Sequence, residues 1–513
     1  MASELHTPLN EIEFTYDHVN LVPVEVARGD PSKVRLTTKL SQRLTLEFPI
    51  ISSPMDTITR SAMAILVARL GGIGVIDAGL SPELQLAEIQ KVRRWKAGFV
   101  FNPEVLGPDA TVGDVIKSDN EYGYSSFPIT WDGTRQTPVI GIITSRNVRD
   151  FRASEFNTPI HSIMTTRDDL VFARAADTVA KNDLKTPNDL IKKKGLDTLP
   201  ILDDEDRVVA LVTRSDIDKN RTNPYSTTDE NKQLKVLAAV ESRPEKAIPR
   251  LEAIVNSGIS GIVIDARNVY CGYKEIASYA KRLNPDLDVI VGNIVHPNVL
   301  REILEEAAEL VDAFRQGIGT GEVCTTQEDM GISRAMGSSS RDLDAAYSRL
   351  NENDRYGYKG FIPDGGMKLT PRYFLVSAAL HKNFGGVMIG SALGGFKESP
   401  AKLVYIDGKK MKLIRGMGSE GAFMDREEAN RAGNVSDAGQ ERYAVTGIPP
   451  EQRFPEGIER PVAYIENGPE VLLRLMGGIR TDLHALNVKD FEELYQKAVI
   501  YPAVSAPSKG TLR

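Results

Sequence analysis

The 513-residue sequence has only two cysteines, Cys271 and Cys324, so no disulfide framework can hold it together and each thiol is read alone, as expected in a reducing compartment. Its six histidines are scattered, with no i, i+4 pair and none beside a cysteine pair, which excludes the usual zinc arrangements. No run of 18 apolar residues occurs, and Met1–Phe14 lacks a basic stretch followed by an apolar one. A cytoplasmic protein with no membrane contact is therefore expected. With 63 basic against 70 acidic residues the formal charge is −7, and no broad basic field exists to draw nucleic acid. Any phosphate site has to be local.

Eight short β-rich runs, all but the third ending in Gly, Ser, Asp or Asn, are FPIIS (48–52), IGVID (73–77), LKVLAAV (234–240), GIVID (261–265), DVIVGN (288–293), VDAFRQG (311–317), KGFIPDGG (359–366) and GGVMIGS (385–391). Amphipathic stretches with apolar positions three and four apart lie between them, at 60–70, 249–258, 299–310 and 372–383. Eight such alternations predict an α/β fold, a closed (β/α)₈ barrel, whose active site lies at the C-terminal ends of its strands. The rhythm breaks between Trp95 and Leu234, which predicts an inserted domain. The expected division is 1–101 for the first part of the barrel, 102–222 for the insertion and 223–513 for the rest.

Within the insertion SSFPI (125–129) and VIGIITSRNVRD (139–150) are echoed by DTLPI (197–201) and VVALVTRSDIDK (208–219). Thr144 and Asn147 then correspond to Thr213 and Asp216. The pattern resembles a tandem pair of cystathionine-β-synthase (CBS) modules, which implies ATP or GTP as regulatory ligands at those four residues; the bland alternative is an α/β insertion with polar turns.

The strongest chemical signal is GIGTGEVCTT (317–326), directly after the sixth run. Alternate glycines let backbone approach a ligand or ion, and a thiol follows on the same turn. Past the eighth run, residues 416–460 have few periodic apolar positions and are expected to form a mobile active-site flap. Cys271 has no comparable loop and is expected to be structural.

The motifs SSPMDTIT (52–59), GGIGVI (71–76), VGN (291–293), GIGTGEVCTT, DGG (364–366), MIGS (388–391), RGMGS (415–419), ERY (441–443) and FPEGIE (454–459) stand in the order of the inosine-monophosphate dehydrogenases, which the chain resembles over nearly its whole length. The resemblance implies oxidation of IMP to XMP by NAD. Cys324 would attack C2 of the purine, and Arg442 with Tyr443 would enter on the flap to activate water, aided by Thr326, with Glu456 as the acidic partner. Asp364 would take the ribose hydroxyls, Gly366, Gly390, Gly416 and Ser391 the phosphate, and Ser53, Met55, Met417 and Gly418 would complete the substrate site. The cofactor side would comprise Asp265, Asn293, Arg315, Gly317 and Gly319. A potassium ion would rest on carbonyls of Gly319, Gly321 and Cys324. A homotetramer is implied as well.

Some positions depart from the family pattern. Glu322 replaces a phosphate-contacting serine, Ala266 and Arg267 replace two serines on the nicotinamide side, Ile414 replaces a phosphate-binding tyrosine, and Asp77-Ala78 replaces His-Lys. Two alternatives stay open: a GMP reductase, which uses NADPH and releases ammonia, and a nucleotide-sensing homologue that has lost turnover.

Overall fold

A computed structural model describes residues 13–95, 98–101, 103–122, 126–181, 183–214, 217, 221–431, 448 and 452–503. The chain divides into two compact units, one of Met1–Arg93, Tyr225–Thr227 and Lys235–Arg513, the other of Arg94–Pro224 and Thr228–Leu234.

The larger unit is built on eight parallel strands: β1 Ile50–Ser52, β2 Ile73–Ile76, β3 Leu237–Val240, β4 Gly261–Asp265, β5 Asp288–Ile294, β6 Ala313–Gln316, β7 Gly360–Pro363 and β8 Val387–Ile389. Each forms where an apolar run was read, and each pairs in order with the next. β8 pairs back with β1, and single bridges Asp364–Met388 and Phe361–Phe384 join β7 to β8, which closes the barrel. Both faces of every strand are buried, which explains the near-continuous apolar runs. The interior is one cluster, including Ile51, Val75, Leu237, Ala239, Val263, Ile290, Ile362 and Met388. Leu40, Leu44 and Leu46, from the hairpin Thr38–Lys39/Thr45–Leu46, join it from the side where the strands begin. That end is plugged, so the opposite end is left for ligands.

The helices follow from capping and stripe. In the helix Pro297–Ala307, Pro297 occupies the first position, where its missing N–H costs nothing, and the His296 ring accepts the Asn298 N–H at 3.2 Å. Its buried residues Leu300, Ile303, Leu304 and Ala307 recur three and four apart. The stretch expected to begin at Pro249 begins five residues earlier, as the helix Pro244–Ile254. Pro244 at the first position starts it, and Pro249 is tolerated inside, so the second proline is not the boundary it resembled.

Past β8, strands Lys402–Ile406, Lys409–Arg415 and Glu459–Ala463 form a small antiparallel sheet. The segment read as a long excursion contains a helix at its start, Glu420–Arg431. Ser419 begins it, its hydroxyl accepting the Ala422 N–H at 3.3 Å, and Ala422 and Phe423 are buried anchors. Gly468–Ala485 then packs on Pro371–Leu380.

The second unit shows its repeat in register. Ser126–Thr130 pairs antiparallel with Val139–Thr144 (Phe127 opposite Ile143), and Thr198–Leu202 with Val208–Thr213 (Leu199 opposite Val212), each pair with an irregularity at its last step. The hydroxyls of Ser126 and Thr198, at matching positions, meet at 2.7 Å. Phe99–Phe101, placed by sequence in the barrel, pairs with Val208–Thr213 and so belongs to this unit. No helix among the described residues is long and apolar enough to cross a membrane.

Candidate active site

A cleft of about 800 Å³, counted with its open mouth, lies where the barrel strands end. Its wall is the loop after β6. Gly317 has φ +123°, and a Cβ there would stand 2.2 Å from the Asp364 carbonyl, so only glycine lets the ends of β6 and β7 approach this closely. The Cys324 N–H donates to the Gly321 carbonyl at 3.0 Å and closes the turn that presents the thiol.

Cys324 Sγ lies 3.1 Å from Thr326 Oγ1. That hydroxyl donates to Glu456 Oε2 at 2.7 Å, so its lone pairs are what it offers the thiol side. Thr326 is fully buried and Glu456 nearly so. Glu456 Oε1 pairs with Arg267. The segment bearing Glu456 is laid against the cysteine loop by backbone bonds: Ile458 N–H to Val323 O at 3.0 Å and Glu456 N–H to Gly418 O at 2.9 Å.

Opposite stands a buried polar floor. Asp364 Oδ2 accepts from Arg315 Nε at 2.9 Å and Asn293 Nδ2 at 3.2 Å, and Arg315 Nη2 is 2.8 Å away. Among the described residues Oδ1 takes no hydrogen bond, which makes it the acceptor available to a ligand hydroxyl. Arg315, 1% exposed, also pairs with Asp265, so one guanidinium serves two carboxylates. Such a cluster is rigid, because every charge depends on its neighbour.

The remaining wall is backbone. A Cβ at Gly366 (φ +69°) would fall 2.6 Å from the Thr320 carbonyl, and one at Gly416 would fall 2.4 Å from that of Val323. Loops after β7 and after Lys409–Arg415 therefore meet the cysteine loop with no side chain between them, while Gly390 after β8 meets Met55 and Ser53 of the loop after β1. Such close glycine packing leaves main-chain groups rather than side chains to meet a ligand along this wall.

Of the residues chosen from sequence, Ser53, Met55, Asn293, Arg315, Gly317, Gly319, Gly321, Cys324, Thr326, Asp364, Gly366, Gly390, Ser391, Gly416 and Met417 line this cleft. Asp265 and Glu456 stand one layer behind it, and Gly418 holds Glu456 through its carbonyl. Arg442 and Tyr443 lie outside the described residues, as does Asp216. Thr144, Asn147 and Thr213 are in the second unit; Asn147 Oδ1 accepts both the Thr144 N–H, at 3.0 Å, and its hydroxyl, at 2.7 Å, a helix-capping use. Cys271, expected to be structural, is exposed.

The departures acquire partners. Glu322 pairs with Arg460, and Arg460 sits directly across the ladder from Ile414, which is buried in the core. Buried Asp77 takes Arg60 at 3.0 Å. Arg267 and Arg460 are functional candidates that the sequence could not place, since their partners are 189 and 138 residues away.

The IMP dehydrogenase / GMP reductase domain model matches residues 13–509. The chain is 36% identical to inosine-5'-monophosphate dehydrogenase of Toxoplasma gondii over 79% of its own length and 70% of that protein's. It is 33% identical to the enzyme of that name from Schizosaccharomyces pombe, covering 91% and 84%, and 31% to that of Aquifex aeolicus, covering 94% and 91%. Among solved structures, a cysteine-to-alanine GMP reductase from Trypanosoma brucei in complex with guanosine 5'-monophosphate superimposes with a TM-score of 0.76 at 25% identity, covering 97% of this chain and 96% of that one.

Proposed function

The chain belongs to the IMP dehydrogenase / GMP reductase family, and from that premise we propose how its cleft works as an NAD-dependent IMP dehydrogenase, oxidising IMP to XMP. The observation that carries the reading is the Cys324–Thr326 contact at 3.1 Å on the wall facing Asp364. A thiol there reaches the base of a nucleotide whose ribose is held on the floor. Cys324 gives up its thiol proton to solvent as the sulfur bonds to C2, and the covalent purine adduct left after hydride loss is then hydrolysed, which splits one hard step into two. NAD, when bound, takes the hydride that leaves C2.

Asp364 Oδ1 accepts ribose hydroxyls. The amides around Gly366, Gly390 and Gly416, with Ser391, Met417 and Gly418, hold the phosphate, while Ser53 and Met55 border the base. Asn293, Gly317 and Gly319 face the cofactor side, backed by Arg315 and Asp265. Thr326 and Glu456 carry the proton of the attacking water. Arg442 and Tyr443 are assigned to the same half-reaction by resemblance alone. Potassium suits the carbonyls of Gly319, Gly321 and Cys324: the donors are all hard oxygens, and Gly319 lets the Ile332 carbonyl come so near that a Cβ would be 2.8 Å from it.

The second unit is assigned as a CBS pair that binds ATP or GTP through Thr144, Asn147, Thr213 and Asp216, supported by the matching registers of its two hairpins. The working assembly is a homotetramer in the cytoplasm, a setting that suits the free thiols Cys271 and Cys324.

The test is NADH absorbance with IMP, NAD and potassium, for the protein and for Cys324→Ala. NADH formed only by the unmodified protein supports the reading. No NADH from either, with NADPH consumed on adding GMP, would favour the reductase to which the Trypanosoma brucei structure belongs. Silence in both assays would sink the enzymatic reading.

A further inference from the structure

The loop after β4 is clamped to the end of β5 by two backbone bonds, Asn293 N–H to Ala266 O and Val269 N–H to Asn293 O, each 3.1 Å. From that fixed base the Arg267 side chain, 27% exposed and part of the cleft wall, reaches the Glu456 carboxylate, 3% exposed. Its Nη1 takes Oε1, while Oε2 accepts the Thr326 hydroxyl at 2.7 Å, and Thr326 Oγ1 is 3.1 Å from Cys324 Sγ. Guanidinium, carboxylate, hydroxyl and thiol thus form one line, drawn from three distant parts of the chain.

A carboxylate bonded at one oxygen can swing about its terminal torsion, which is broad. A charge-assisted bond at the second oxygen removes that freedom and fixes where the first one points. The serine that the resembling family has here is too short to span the gap.

We infer that Arg267 is a positioning residue for the hydrolytic half of the reaction, a role that rests on the IMP dehydrogenase reading. Water adds to C2 of the purine bound to Cys324, and its proton passes through the Thr326 hydroxyl to Glu456 Oε2. As the O–C2 bond stands, the C2–S bond breaks with its electron pair returning to the Cys324 sulfur, and Glu456 later releases the proton to solvent. Hydride transfer precedes these events and needs the Cys324 sulfur but not the proton path from Thr326 to Glu456. Arg267 therefore sets the rate of the second half-reaction alone.

Stopped-flow NADH formation at saturating IMP and NAD separates the two halves. Arg267→Ala should retain a burst approaching one NADH per site, followed by a steady rate lowered roughly 10- to 100-fold, at or below the low end of the about 10²–10⁴-fold that a positioned proton acceptor contributes, because Arg267 only orients that acceptor. Arg267→Gln, which keeps most of the side-chain volume, should do the same if the alanine variant does not fold. Arg267→Lys should recover part of the loss. Adding Arg267→Ala to Glu456→Gln should slow the enzyme no further, because both act through one line. A steady rate equal to that of the unmodified protein, or a burst lost in step with the steady rate, overturns the inference. If the unmodified protein forms no NADH from IMP, the dehydrogenase reading itself falls, a result that no Arg267 variant can mimic.

Discussion

The Arg460 guanidinium pairs with the Glu322 carboxylate at the edge of the cleft, and Arg460 faces Ile414 across the sheet. The resemblance places phosphate-contacting hydroxyls at positions 322 and 414, and in the proposed phosphate site the pair would let a carboxylate sit beside a dianion without repelling it. Arg460→Ala should raise KM for IMP roughly ten-fold, about 1.4 kcal/mol of unscreened repulsion, with a smaller effect on kcat. Glu322→Ser in the same chain should restore the KM. An unchanged KM in Arg460→Ala would remove the pair from phosphate recognition.

Arg315 is the only cation bonded to both Asp265 and Asp364 among the described residues. Replacing it with methionine removes the guanidinium that both buried carboxylates share, which should lower stability by about 3–5 kcal/mol. Urea unfolding measures this directly. The triple change Arg315→Met, Asp265→Asn, Asp364→Asn should recover much of the stability without the activity; if it does not, packing rather than charge explains the loss.

Gly366 combines φ +69° with a Cβ position 2.6 Å from the Thr320 carbonyl. Gly366→Ala must therefore shift the cysteine loop or its own turn, at a cost of about 1–3 kcal/mol. The barrel should remain folded by circular dichroism, while IMP binding by calorimetry weakens. Binding equal to that of the unmodified protein would mean that the turn is not part of the phosphate cradle.

His381 is wholly buried, stacked on Phe361 with ring centroids 5.0 Å apart, and burial pushes its pKa down to about 3. The folded state then binds fewer protons than the unfolded chain, whose imidazole titrates near 6.5. The stability it contributes is complete above pH 6.5 and is lost as the pH falls toward 3. Between pH 7 and pH 5 the loss is about 2 kcal/mol. His381→Leu should flatten that part of the stability profile, measured by denaturant midpoints at the two values, and equal slopes for both proteins would refute the linkage.

The barrel was legible because its signal is local and periodic. Strands buried on both faces must be apolar throughout, and GIVID (261–265) becomes a strand over those five residues. The helix Glu420–Arg431 was not legible, since its sequence carries few periodic apolar positions; Ala422 and Phe423 are its buried anchors among the described side chains. The start of the helix at Pro244 was missed because a proline inside a helix reads as a boundary.

What the sequence alone determined is the order of the chemistry: a thiol on a glycine loop after β6, an aspartate ending β7 and an insertion with an internal repeat. Each is written in contiguous residues whose spacing survives any folding. What only the tertiary structure decided is which charges neutralise which. Arg267 reaches Glu456 across 189 positions, and Arg460 reaches Glu322 across 138. Coulomb attraction depends on distance in space and on burial, and neither is fixed until the barrel closes and brings the ends of its strands to one mouth.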